Sequence, residues 1–339
     1  MNRRKISFAF GIFLISTLPV VAQPAWQPVT FAPSSDHIEV LVGGKAFTTY
    51  FFAVDAAKAY MMPLRTAQGN IISRDFPRGN DVKGGNPKDD SFEPHQRPLY
   101  FGHGDINGFD FWGEEAFKKF YGPEGNARFG RMVLERLEPV RPGAKSGTLR
   151  AHFQLTGSDG TKVARETQTF IFRGNASTRI VDCEILIEAV YGPVTFGDTK
   201  EGSFALRLGP ALSDPNVSIV NSNHETGSAV WGKRADWVDY SGTVGGEEAG
   251  VAVFDHPKNL RHPTTWHARG YGLFAVNPFG LRAFTGDANQ NGAYQIPAGA
   301  SLRLSYRVVI HHGKAKSYDV AQAYAQYQST VHAMREKTH

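Results

Sequence analysis

Along most of the chain, apolar and polar residues alternate with a period of two. In the stretch 149–156, Leu149, Ala151, Phe153 and Leu155 share one parity and Arg150, His152, Gln154 and Thr156 the other. Leu302, Leu304, Tyr306, Val308 and Ile310 form a second such stripe, and 131–140, 166–172 and 250–256 repeat the pattern with Gly, Pro, Asn and Asp between them. Because successive side chains of a strand point to opposite faces, this alternation predicts half-buried strands. No repeat of 20–50 residues is present, and no Pro/Ser-rich linker divides the chain. The prediction is an all-β fold, one large antiparallel β-sandwich. One segment breaks the period. Apolar residues at 320, 324, 327, 331 and 334 have helical spacing, so a C-terminal helix is expected over about 317–336, lying on a sheet, with Ser317 as N-cap and Asp319 in the first turn. The stretch 113–122 is expected to be a short surface helix.

The N-terminus belongs to a different class of segment. Arg3, Arg4 and Lys5 precede an apolar run from Ile6 to Val21, and Val20 and Ala22 set small residues before Gln23. This order predicts a secretory signal peptide over 1–22, a single domain over 23–339, and a periplasmic or secreted protein. The formal charge of +5 falls to +2 once the leader's three basic residues are removed. No basic tract remains to bind nucleic acid. No later apolar run approaches the roughly 20 residues of a membrane span, so stable membrane insertion is not expected. Cys183 is the only cysteine; it shares parity with Val181, Ile185 and Ile187 and is expected to be a buried thiol. Stability must then come from a large core.

Candidate chemistry concentrates in a few stretches. Residues 95–112, HQRPLYFGHGDINGFDFW, interleave two His, an Arg and two Asp with five aromatic residues. His95, His103 and Asp105 are candidate catalytic groups there, and Arg97, Asn107 and Trp112 candidate ligand contacts. The turn-rich stretch 77–94 before them is expected to wall or cover a site. Residues 254–280 add His256, His262 and His267 as candidate proton carriers, with Trp266 and Tyr271 as ring contacts. Glu201, beside Lys200 and ahead of an alternating strand, is a candidate general base. Trp231, Trp237 and Tyr240, set among Lys233, Arg234 and Asp236, suit a sugar: rings stack on C–H surfaces and charged groups take hydroxyls. His103 with Asp105 and the later histidines would chemically suit zinc or iron, but no metal-binding motif is present. No metal or other cofactor is assigned.

The stretches MPLRTAQGN, which contains Arg65, HQRPLYFGHGDINGFDFWGE, TKEG, WGKRADWVDYSG and FDHPKNLRHPTTWHARGYGLFAVNPFG resemble the DUF6807 family, in order from about Tyr60 to His312. The family's usual HPHHRGL stands here as His95-Gln96-Arg97-Pro98-Leu99 after Pro94, so His95 and Arg97 match while the neighbouring His is Gln96 and the usual Gly is Pro98. Members often carry an automatic label as a methane oxygenase, "PmoA". The membrane subunit of that name spans the bilayer several times, which an alternating chain without long apolar runs does not. By analogy, the resemblance implies the supersandwich of galactose mutarotases and some polysaccharide lyases; fold does not fix function.

The expectation is an exported carbohydrate-active protein whose pocket joins both His-rich stretches. Arg97 would bind substrate with Arg65, Asn107 and the rings; one His would act as acid, and Glu201 or Asp105 as base. Hydrolysis, elimination and epimerisation all stay open. So do a sugar-binding module without catalysis and a metal-dependent hydrolase or oxygenase. The oligomeric state is left open too. His262 is expected to be essential, kept neutral by adjacent Arg261.

Overall fold

The computed structural model describes residues 25–52, 55–88, 92–120, 128–314 and 317–336. The expected signal peptide at 1–22 lies outside them. Among the described residues the strands run in chain order as β1 (Val29–Pro33), β2 (His37–Val42), β3 (Lys45–Phe51), β4 (Tyr60–Met61), β5 (Leu99–His103), β6 (Gly130–Leu137), β7 (Gly147–Gly157), β8 (Lys162–Gly174), β9 (Thr178–Glu188) and β10 (Val194–Phe196). There follow β11 (Gly202–Arg207), β12 (Ser218–Asn221), β13 (Arg234–Ala235), β14 (Trp237–Val244), β15 (Glu247–Asp255), β16 (Thr264–Ala268), β17 (Leu273–Asn277), β18 (Tyr294–Ile296) and β19 (Ser301–His312). Two α-helices, α1 (Leu281–Thr285) and α2 (Val320–Glu336), complete the set. The strands form a nine-stranded sheet in the order β1-β2-β3-β4-β5-β11-β17-β16-β13 and an eight-stranded sheet in the order β12-β14-β15-β19-β9-β8-β7-β6, with β10 and β18 as a separate pair. Every ladder between strands is antiparallel.

The core lies between the two large sheets, where the period of two directs it. Leu149, Ala151, Phe153 and Leu155 of β7 and Val181, Cys183, Ile185 and Ile187 of β9 face Leu99 and Phe101 of β5 and Phe204 and Leu206 of β11 in one cluster. Phe204 stacks on Tyr306 at 4.5 Å and Tyr240 on Phe274 at 4.4 Å, each pair bridging the sheets. Burying each such ring is worth roughly 1.5–3 kcal/mol. Cys183 is buried as expected, and burial pushes its thiol up.

Helix α2 lies on the outer face of the eight-stranded sheet, its Val320, Tyr324 and Tyr327 packed on Trp237, Ala252, Phe254 and Val309. Asp319, not Ser317, caps it: the Gln322 amide donates to Asp319 Oδ1 at 2.8 Å, while Ser317 Oγ donates to the Lys314 carbonyl. A carboxylate is as good a cap as a hydroxyl and adds charge complementary to the helix dipole. The short surface helix is a 3-10 turn, Glu115–Phe120, anchored by buried Phe117. The outer face of the nine-stranded sheet carries a different cluster: Phe51, Tyr60, Tyr100, Trp112, Ala205, Leu273 and Ala275.

Candidate functional site

Register sets up a site on that outer face. Tyr100 of β5 lies opposite Ala205 of β11, Ala205 opposite Ala275 of β17, and Ala275 opposite His267 of β16. One row across four strands thus runs aromatic, small, small, imidazole. Three strand spacings separate its ends, about 14 Å between Cα atoms. The row beside it is also small, with Gly102 opposite Ser203 and Asn277 opposite Thr265. A Cβ on Gly102 would stand 2.6 Å from the Phe111 carbonyl oxygen. Glycine is therefore required there, and segment 111–112 crosses close over the sheet, bringing Trp112 within 5.0 Å of the Tyr100 ring.

The polar groups around this floor are graded in depth. Tyr100 and Trp112 are buried, yet Tyr100 OH, Trp112 Nε1 and Gln96 Oε1 have no hydrogen-bond partner among the described residues. A buried donor left unpaired costs about 1–3 kcal/mol. Above them Tyr271, half-buried, shares a hydrogen bond with the Gln96 side chain. Glu93 and Glu201 stand at the mouth, their side chains 37% and 33% exposed. Glu201 pairs with the Lys200 ammonium. Burial raises the Glu93 carboxyl, and the charge of Glu201 raises it further against Arg207 and Arg74. His95, with Nδ1 at 3.4 Å from Glu93, is held well below the usual imidazole range by burial and by the cations Lys58, Arg74, Arg97 and Arg207. Burial thus disfavours the charged form of both the ring and the carboxyl beside it.

His267 is locked. Its Nδ1 faces the Lys200 carbonyl at 2.9 Å, so that nitrogen donates, and Nε2 accepts from Arg269 Nε at 3.3 Å. Burial lowers it to about 4, with Glu201 opposing and Arg269 and Lys200 reinforcing. With both nitrogens engaged it positions its neighbours rather than carrying a proton.

Arg97 was expected to meet substrate, but it is wholly buried and committed to the protein. Nε and Nη2 donate to the two Glu114 oxygens at 2.8 and 2.6 Å, and Nη1 donates to the Pro77 and Gly79 carbonyls at 2.9 and 2.8 Å. Lys58, also buried, reaches Glu114 at 3.2 Å and donates to the Trp112 carbonyl. Burial would raise Glu114, but the two cations outweigh it and hold the carboxyl below its usual range. This buried network fixes loop 77–79 and the backbone of Trp112.

Several expected groups lie elsewhere. His103 has the opposite parity to Tyr100 and points into the sandwich among Phe196 and Phe279. Its Nε2 meets the Gly197 carbonyl at 2.8 Å, Nδ1 meets Ser203 Oγ at 3.2 Å, and burial lowers it to about 4. Asp105 accepts from the Gly108 amide and Asn107 clamps Pro193 and Thr195, both as turn fasteners. Trp266 is in the core with its indole N–H on the Ala235 carbonyl, and Trp237 lies under α2. Arg65 sits on a hairpin closed by its bridge to Ile71. His256 packs on Tyr327 beside α2. His262 makes a 2.8 Å contact with buried Asp255 and stands 3.4 Å from Asp236. Arg261 does not face it: its guanidinium donates to the Pro278, Gly292 and Ala293 carbonyls. The expected action of Arg261 on His262 therefore fails, because the guanidinium is turned away from the ring. Of the second His-rich stretch, His267 and Tyr271 join Trp112 and His95; His256 and His262 do not. Among the described residues no group of three or more His, Cys, Asp or Glu is arranged to hold a metal. No helix among them is long and apolar enough to cross a membrane.

Glu93, Gln96, Tyr100 and Arg207 were not singled out from the sequence. Parity alone puts Tyr100 on one face of β5, but which strands lie beside it depends on long-range pairing.

Comparison with known proteins adds the following. A family model described as "Family of unknown function (DUF6807)" matches residues 37–325. No curated protein matches. Solved structures with a similar course include a proposed aldose 1-epimerase from Klebsiella pneumoniae, 12% identical with TM-score 0.38, covering 87% of this chain and 89% of that one. A galactose mutarotase-like protein from Lactobacillus casei is 9% identical with TM-score 0.36, covering 84% and 100%. An α-galactosidase from Lactobacillus brevis is 8% identical with TM-score 0.33; 85% of this chain matches, spanning 39% of that protein's length.

Proposed function

We propose a function for a chain that belongs to the DUF6807 family, a family of unknown function: it is an exported carbohydrate-active enzyme that performs acid–base chemistry on a sugar bound over Tyr100, Trp112 and Tyr271. The observation that carries this reading is the pair of buried, unpartnered donors, Tyr100 OH and Trp112 Nε1, beneath half-exposed carboxylates. A polyol supplies hydroxyls to such groups and C–H faces to the rings. Glu93, whose carboxyl is raised, is the proton donor. Glu201, held by Lys200, is the acceptor. Proton delivery to one sugar oxygen with removal from another serves hydrolysis, elimination or epimerisation alike.

The test is turnover and binding against a panel of mono- and oligosaccharides. Glu201→Gln and Glu93→Gln should each lower turnover by about 100-fold or more while the protein melts within a few degrees of wild type. Glu201→Gln with unchanged turnover would remove it from the chemistry; no binding of any sugar would remove the whole reading. A second reading, a sugar-binding protein without catalysis, is favoured by His267, whose two nitrogens are both occupied. It predicts that Tyr100→Phe weakens sugar binding although wild type turns over nothing.

A further inference from the structure

The row beyond Ala205 and Ala275 on the same face is cationic at both ends. Arg207 of β11 lies opposite Leu273 of β17, and the Arg269 amide, just past β16, donates to the Leu273 carbonyl. The row thus reads Arg207, Leu273, Arg269 over two strand spacings, about 10 Å. Each guanidinium lies over an aromatic ring, Arg207 at 4.4 Å from the Tyr271 centroid and Arg269 at 3.7 Å from that of Trp231. Stacking fixes the plane of a guanidinium and leaves its edge to receive a planar anion. Arg269 is half-buried, its side-chain hydrogen bond goes to the neutral His267 ring, and among the described residues no carboxylate pairs with it. Of the acids, Glu201 starts from the other end of β11. Glu201 precedes β11 and Arg207 ends it, about 20 Å apart along the strand at Cα. Glu93 instead lies near Arg207 and Arg74, whose charges favour its carboxylate, so Arg269 is the guanidinium that pairs with no carboxylate among the described residues.

We infer that the ligand is an acidic sugar, a uronic acid residue, whose carboxylate is received at the edge of Arg269 beside Arg207 while its ring lies toward half-buried Tyr271 and Glu201. The inference rests on the sugar reading above and narrows it to a charged class. A flat, two-oxygen carboxylate matches the guanidinium fork in a way that a hydroxymethyl group does not. A charge-assisted pair of this kind is worth about tenfold or more in affinity.

Calorimetric binding of the full protein to glucuronate against glucose, galacturonate against galactose, and galactose 6-sulfate tests it. The acid should bind at least about tenfold tighter than its neutral partner. Raising the salt concentration should shrink that ratio. Arg269→Gln should bring the ratio close to one, and Arg269→Lys, which keeps the charge and loses the fork, should leave it intermediate. The wild-type ratio and its salt dependence need no variant, so a misfolded Arg269→Gln does not rescue the idea. Neutral sugars binding as tightly as acids would overturn this inference and leave the sugar reading standing. Tighter binding of the sulfate than of either uronate would overturn the carboxylate assignment. Binding of none of them would overturn both.

Discussion

Arg97→Ala separates a structural arginine from a substrate-binding one. The side chain is fully buried, donates to both Glu114 oxygens and to the Pro77 and Gly79 carbonyls, and lies over the Tyr60 and Phe117 rings at 4.6 and 5.3 Å. Truncation strips Glu114, itself at 0% exposure, of its fork and leaves it Lys58 as its charged partner among the described residues. Breaking one side of a buried pair costs about 3–5 kcal/mol, because a desolvated charge is left behind. At about 2–4 °C per kcal/mol for a large domain, the melting temperature should fall by roughly 6–20 °C. Removing both partners, in Arg97→Ala with Glu114→Ala, should cost less than the two single losses summed. Acid should act in the same direction. Glu114 has a folded pKa below its ordinary 4.5, so its contribution is present above that value and is lost as pH falls through the folded one. Differential scanning calorimetry of the four proteins with sugar binding on the same samples decides the matter. An Arg97→Ala protein that melts within about 2 °C of wild type but no longer binds sugar would refute the structural account and return Arg97 to the ligand.

Further outcomes follow from the same geometry. His262→Ala should lose about 1–3 kcal/mol by unpairing buried Asp255 while keeping its activity per folded molecule; an unchanged melt with turnover down about 100-fold would restore it to the chemistry. Stability should peak near pH 6.5. Between about 4 and 6.5 the unfolded chain takes up protons that His103 and His267 refuse in the fold, so stability rises with pH. Glu166, raised to about 8 by burial, keeps a proton that the unfolded chain has lost above 4.5, so stability falls with pH through about 8. Glu166→Gln should flatten the decline between pH 6.5 and 8; a decline as steep as wild type's would point to another group. Mass spectrometry of exported protein should find Gln23 as the first residue, and an intact Met1 in mature material would defeat the export proposal.

Period and spacing exposed the sandwich, the buried side of β7, β9 and β19, and the C-terminal helix, because these signals are local. The candidate site was legible only in part. His95, Trp112, Glu201, His267 and Tyr271 stand out as reactive or aromatic residues, and all face or rim the trough. Local chemistry could not tell His267 from His103, which differ in the face of the sheet their strands present. It also misjudged Arg97 and Trp266, whose polar ends are satisfied by carbonyls and carboxylates distant in sequence. Ala205 and Ala275 carry no chemical signal at all, yet their absence of bulk makes the floor. Arg261 misled for a different reason: adjacency in sequence is not adjacency of side chains, and its backbone, at a φ of 61°, sends the guanidinium away from His262.

The two alanines also govern how closely the rings beside them approach the sheet. Each stands on an interior strand of the nine-stranded sheet. Both are buried, at 0% and 1% exposure, in the cluster that holds Tyr100, Trp112 and Leu273, so lengthening either side chain would press on those neighbours. Substitution at these two positions would therefore shift Tyr100 and Trp112, the two rings on which the proposed sugar site is built.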